Sequence, residues 1–561
     1  MVRLSSIFSV CATVALFAST TEAADHFLTV GGGPIAKSSQ ISLEKNVQYF
    51  QRTLARLGLD KHEHLILFGD GDNPQPDLQY EDVDRDAEDV RTLLAEMIGP
   101  SNGIRFNYRN FEIDGVGGAA EPEVIEKTLE DLAQRLNKDD RLIFYFTGHG
   151  GKGKPETEVR VKKEEKEDDA ENKDEEKTDD GKQEDAKEEG DEKKDEKKDE
   201  KKDEKKDEKP KKREKPLVDN ITHLWNSNKM QVTDWTEKLD ELPADMPVIA
   251  VMVQCFSGGF GNMIFKGGDP ENGLAEHARC GFFSTVPDRV AAGCTPNIEE
   301  AEYREYSSYF YEALTGETRT GNSVDKPDYD ADGQCSLLEA HAYTVLTADT
   351  IDIPTRTSDA LLRYYSATEG KDGLLSTHSP IAALLATASP CEREVIEGLS
   401  ARFELTGADR GKQVDEAIKR LRDEKKKIDD DIRGKRSEQR KSKVEVAKML
   451  QVRWPSLGSA WHPEAARLIA EEGDVVKQAI LENDDYVKFK ELDAEMEELK
   501  EKGEKLNLDI VKLERLKYWL ETRALAINLP IMADEKVQKA YAELIELESQ
   551  QLVTTPPVVA G

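Results

Sequence analysis

The chain has 561 residues and a formal net charge of −35, with 79 Lys and Arg set against 114 Asp and Glu. That length supports a sizeable core and more than one domain. The acidic balance excludes nucleic acid as the main partner, because a phosphate backbone selects a basic face.

The first predicted element is a targeting segment. Arg3 precedes an apolar stretch from Ile7 to Ala18, and Thr21 and Ala23 occupy the small positions that a signal peptidase reads. Residues 1–23 are therefore expected to be a signal peptide cleaved before Ala24. The mature chain is expected to be exported, to the periplasm or beyond the cell. The apolar stretch is too short for an anchor and no later segment reads as a membrane helix, so no stable membrane span is expected. Five cysteines follow the cleavage point, namely Cys255, Cys280, Cys294, Cys335 and Cys391. In an oxidising compartment an odd number leaves at least one thiol unpaired.

Residues 24–154 alternate short apolar runs with amphipathic ones: "HFLTV", "SLEKNVQYFQRTLARLG", "HLILF", "DAEDVRTLLAEMIG", "PEVIEKTLEDLAQRL" and "RLIFYFT". The alternation predicts an α/β fold, a mostly parallel sheet with helices on both faces. Sites in such folds form at the carboxyl ends of the strands. "VGGGP" lacks the GxGxxG spacing, and Pro34 stands where a phosphate-binding helix would begin, so nucleotide binding is not expected.

Residues 155–216 change character. Tandem "DEKK" units from Asp191 onward place like charges over one another at i,i+4, and the segment has almost nothing apolar to bury. A disordered, charged insertion is expected. The α/β pattern resumes over 217–395, with "PVIAVMVQCFSGGF" as a buried strand. Beyond it, 396–561 reads as helical. Val414, Ile418, Leu421, Ile428 and Ile432 follow heptad spacing, and so do Phe489, Leu492, Met496, Leu499, Leu506, Ile510 and Leu513, with a gap at Gly503. An antiparallel helical hairpin, a coiled coil that joins copies or engages a protein partner, and a solvated helix with a narrow seam all fit that pattern.

Two strand ends carry the chemistry. "RLIFYFTGHGG" stops at His149 between glycines, and "VIAVMVQCFSGGF" stops at Cys255 before Phe-Ser-Gly-Gly. Neighbouring parallel strands ending in these residues would bring imidazole and thiol to one sheet edge, as nucleophilic thiol catalysis requires. Flanking glycines let a substrate backbone approach and leave amides free for an oxyanion. The plainer reading of Cys255 is a small buried hydrophobe. His149 precedes Cys255 by 106 residues, of which the insertion supplies 62, leaving 44.

That spacing is close to the ~50 residues between histidine and cysteine in caspases. "FYFTGHGG" and "QCFSGG" resemble the two signatures of the caspase-like clan of cysteine peptidases, nearest to its legumain-like and bacterial branches, over roughly residues 25–385. The resemblance implies a thiol endopeptidase acting on peptides or proteins without a catalytic cofactor. Cys255 would attack the scissile carbonyl, His149 would protonate the leaving amine, and the amides of Gly150 and Cys255 would form the oxyanion hole. Several branches carry a pocket-shaping acidic or polar residue two before the nucleophile; here Val253 stands there, with Gln254 next as a pocket candidate. Asp288 is a second pocket candidate, for Lys or Arg, with a surface aspartate as the plainer reading. A peptide ligase of the same fold would use the same acyl-enzyme, and a non-catalytic relative would work as a binding module through its coiled coil.

"DYDADGQCSLLE" matches a calcium loop, with Asp328, Asp330 and Asp332 at positions one, three and five and Gly333 at six. Gln334 would offer its carbonyl, Ser336 is ninth and Glu339 twelfth. No helix is predicted ahead of the loop, so a single structural calcium site is expected rather than a paired sensor. An acidic turn capping a helix is the simpler alternative.

Overall fold

The computed structural model describes residues 24–83, 89–99, 103–158, 212–459 and 461–553. The expected signal peptide and most of the expected disordered insertion lie outside the described residues. The chain forms two units: residues 1–154 together with 218–561, and residues 155–217. Of the second unit, the paired strands β7 (Pro155–Glu158) and β8 (Lys212–Val218, which ends in the first unit) are described.

The first unit opens as the periodicity predicts. Strand β1 (Asp25–Gly32) leads to helix α1 (Ile41–Arg56), which buries Leu43, Val47, Phe50 and Leu54, one per turn. Next come β2 (Glu63–Phe68), β3 (Leu78–Glu81), α2 (Val90–Ile98), β4 (Phe106–Arg109), β5 (Val116–Gly118), α3 (Pro122–Arg135) and β6 (Arg141–Gly151). Beyond the insertion, β9 (Ile221–Leu224) and β10 (Asn228–Gln231) form a hairpin before α4 (Val232–Leu239). Strands β11 (Val248–Met252), β12 (Arg279–Phe283) and β13 (Thr355–Arg356) follow, with α5 (Tyr306–Thr315) and α6 (Leu337–Thr347) between the last two.

These strands build a nine-stranded sheet ordered β13-β12-β11-β6-β1-β2-β5. From β12 to β5 every neighbouring pair is parallel, while β13 and the β9–β10 ribbon join antiparallel. The central strands are apolar on both faces because both faces are covered. Ile143, Tyr145, Ile249 and Val251 point into one core with α1 and α5, and Leu142, Phe144, Ala250 and Met252 into another with α3 and α4.

The remaining helices are α7 (Thr357–Tyr365), α8 (Ile381–Leu385), α9 (Pro390–Arg402), α10 (Arg410–Arg453), α11 (Pro463–Leu481), α12 (Asp484–Met532) and α13 (Glu535–Glu548). Helices α10 and α12 run antiparallel, as Lys517–Asp415, Arg422–Glu514 and Lys435–Glu495 ion pairs establish. The gap at Gly503 faces Ile428: a Cβ there would lie 3.6 Å from its methyl. Leu525 and Leu529 of α12 and Val537, Leu544 and Leu547 of α13 complete the α1-side core of the sheet. At the far end, Leu93 and Met97 of α2 pack with Val446, Leu450, Val476 and Ile480. No helix among the described residues is long and apolar enough to cross a membrane.

Candidate active site

Strands β6 and β11 are direct neighbours, paired from Leu142 with Val248 to Phe146 with Met252. Residues 146 and 252 stand 106 apart, the same separation as His149 and Cys255. The ladder continues one step, Val253 N donating to Phe146 O at 3.1 Å. His149 lies within β6 at its carboxyl end, and Cys255 follows two residues after Val253, in the turn just beyond β11. Gly150 seals the junction. A Cβ on it would meet the Cys255 carbonyl oxygen at 2.0 Å and the Gln254 Cγ at 2.7 Å, so only glycine admits this approach.

His149 is held from the β1–α1 side. Its Nε2 lies 2.7 Å from Ser38 O and 3.0 Å from Gln40 Oε1. Both partners accept, so Nε2 carries the proton and donates, leaving Nδ1 as the basic nitrogen. Burial pushes the imidazole below its ordinary range, and the Ser38 carbonyl opposes that shift. His223 sits directly opposite on β9 and is also depressed, by burial first and by His149 second.

Cys255 lies under the loop that follows β12. Ala291 N donates to Sγ at 3.3 Å, and Phe256 N donates to Arg289 O at 2.8 Å. Burial pushes the thiol above its ordinary range and Asp352 adds to that, while the Ala291 amide pulls it back. The loop crosses onward: Ala292 N donates to Asp352 Oδ1 at 2.7 Å, Cys294 Sγ to Gly148 O at 3.7 Å, and Thr295 N to Ser42 Oγ at 2.8 Å. Asp352 is fully buried and its carboxyl is raised to about 6, chiefly by desolvation. All five described cysteines are free thiols.

The other predicted residues divide. Gln254 is 1 % exposed and turned inward, with neither amide atom partnered. Asp288 is exposed on the loop above. The carboxylate oxygens of Asp328, Asp330 and Asp332 converge within 4.8 Å of one another, all exposed. Their other bonds are turn bonds from Gly333, Asp332 and Gln334 amides. This hard oxygen set fits a calcium-type ion. Glu339 stands apart: it is 1 % exposed and accepts from Tyr329 N at 2.6 Å and Ser336 N at 2.8 Å, while Ser336 Oγ caps α6.

Sequence reasoning missed the supports. Asn220, fully buried, donates to Phe256 O and Pro287 O at 2.8 Å each and accepts from Gly153 N at 3.1 Å. It thereby joins the segment after His149, the segment after Cys255 and the loop above both. Asn46 donates to Thr147 Oγ1 and to Glu305, whose carboxylate pairs with Arg319 at 3.1 Å. The only sequence trace of these is polar residues inside apolar surroundings. Neither a scan against protein-family models nor a search of curated proteins finds a match to the chain.

Proposed function

We propose that the chain is an exported cysteine endopeptidase of the caspase-like clan, with Cys255 as nucleophile and His149 as its acid–base partner. The observation that carries the reading is the shared offset of 106, which sets both residues at the carboxyl edge of adjacent parallel strands. With Nε2 committed to Ser38 and Gln40, His149 takes the thiol proton at Nδ1. Cys255 Sγ attacks the scissile carbonyl carbon, and the amides of Gly150 and Cys255 receive the developing oxyanion. The C–N bond breaks as His149 returns the proton to the leaving amine, and water then hydrolyses the acyl-enzyme.

Ala291 N donates to the Cys255 thiol, a contact that attack on a carbonyl carbon would have to give up. Gln254 faces inward and acts by placing Cys255, whereas Asp288 is free to meet a basic side chain. Asp328, Asp330, Asp332 and the Gln334 carbonyl would hold one structural calcium ion. Recruiting Glu339 as a further ligand would cost the α6 cap.

The test compares the mature chain with Cys255→Ala, using irreversible thiol-reactive peptide probes with Lys, Arg, Asn or Asp at the reactive end. Each is run with calcium and with chelator. Labelling confined to wild type, with a preference among probes and an increase in calcium, is the expected result. Equal labelling of both chains, or none in either, sinks the peptidase reading.

A further inference from the structure

Away from the thiol, the loop joining β2 to β3 holds a second anomaly. Asp77 is fully buried, and Asp70 is half-buried seven residues before it. Asp77 Oδ1 accepts from Phe111 N at 3.1 Å. Its Oδ2, and Oδ1 of Asp70, are sealed from solvent with no donor. The two carboxyls are close enough to act on one another electrostatically. The loop is shaped to permit this: a Cβ on Gly69, which has φ +49°, would sit 2.3 Å from Asp77 Oδ2.

Two carboxylates are acceptors only, so they can bond to one another only when one carries a proton. Among the described residues, no cation is among the groups that shift either carboxyl. Asp70 feels Asp77 and Glu121, both acidic. Arg109, whose neighbour in the β3–β4 ladder is Leu78, is spent on Glu44 at 2.8 Å and 2.9 Å.

We propose that Asp70 and Asp77 form a proton-binding site, a carboxyl pair that shares one proton and locks the β2–β3 loop while the proton is held. The site is wired to the imidazole. Asp77 N opens the β3–β4 ladder by donating to Arg109 O at 3.1 Å, and two residues on, Gln79 N donates to Ser39 O at 2.7 Å. Ser38 and Gln40, on either side of Ser39, are the residues that hold His149 Nε2. Gly69 N, next to Asp70, donates to Gly31 O at 3.2 Å, on the strand that feeds the same loop. Losing the proton sets two like charges beside one another against that scaffold. Insofar as this bears on catalysis, it rests on the peptidase reading.

The sign follows from linkage. Desolvation first, and Asp70 second, raise Asp77 to about 7, far above an unfolded aspartate. The pair's contribution to stability is therefore complete in acid, below the unfolded value, and disappears as pH rises through about 7.

The experiment follows the thermal midpoint of the full mature chain from acid to mild alkali in wild type, Asp77→Asn, Asp70→Asn and the exposed control Asp72→Asn. An infrared spectrum at slightly acid pH is recorded alongside. We expect the wild-type midpoint to lose a few degrees relative to Asp77→Asn and to Asp70→Asn as pH rises from the ordinary aspartate range to about 7, while Asp72→Asn tracks wild type. We also expect a protonated-carboxyl band in wild type that Asp77→Asn lacks. Parallel midpoints across the range, or no change in that band, overturn the proposal. A calcium-induced rise in the wild-type midpoint that Asp77→Asn abolishes overturns it in favour of a cation. Both readouts are independent of Cys255, so they stand or fall apart from the probe labelling.

Discussion

A methyl group at position 150 has nowhere to go. Its nearest neighbours would be backbone of Cys255 and the stem of Gln254, which is itself buried, so neither side yields cheaply. Gly150→Ala must push β6 and the segment after β11 apart, at a cost of roughly 1–3 kcal/mol for overpacking. A lower thermal midpoint is expected, together with a loss of probe labelling at Cys255 of at least about tenfold, since misplacement of a reacting atom costs rate steeply. Unchanged labelling would mean that the close approach has no bearing on the thiol. The two glycine-fenced residues at this junction were legible in the sequence because they break an apolar run. Asn220 was not, since nothing local distinguishes a buried asparagine with three loop partners from a surface one.

Among the elements, α12 shows how far periodicity reads. Phe489, Leu492, Met496, Ile510 and Leu513 are buried, as heptad spacing predicts, while Leu499 and Leu506 of the same series are half-buried. Yet the same helix buries Arg515 completely, and no apolar pattern marks it. Arg515 donates to the carbonyls of Val345, Ala348, Thr350 and Asp352 at 2.7–3.0 Å, closing the loop after α6. Desolvation lowers its guanidinium to about 10, and Asp352 opposes that. Arg515→Met leaves these carbonyls without a donor, for a loss on the order of 3 kcal/mol by chemical denaturation. Asp352 also accepts from Ala292, so the loop over Cys255 should loosen in the same variant. A substitution that leaves stability unchanged would mean that water replaces the guanidinium at no cost. Such partners are distant in sequence, and composition alone cannot find them.

At the scale of the molecule, the order of apolar runs made the parallel sheet legible, because strands covered on both faces must be apolar throughout. The charged insertion stood out by composition. Harder to read was how deeply the helical region enters the core. Arg141, at the start of β6, donates to the carbonyls of Gln551 and Leu552, and the wholly buried Glu548 pairs with Arg356. Each joins a residue of the sheet to one at least 192 positions away, and no local pattern encodes that.

The insertion departs after Gly153 and returns before Asn220, and those two residues are bonded to each other. Closing a long loop costs an entropy that grows only with the logarithm of its length, so the ends stay together whatever lies between. Consider the chain cut once within that loop. The break yields two polypeptides, one carrying His149 and β1–β6, the other Cys255 and everything from β9 onward. They meet along the β6–β11 and β6–β9 ladders, with α1 packed on α5 and Arg141 gripping the distal end. A single nick, by the chain itself or by another protease, should therefore give two bands on a denaturing gel and one particle by light scattering. Covalent continuity would then be dispensable to the assembled molecule, and the two halves of its chemistry would belong to different chains.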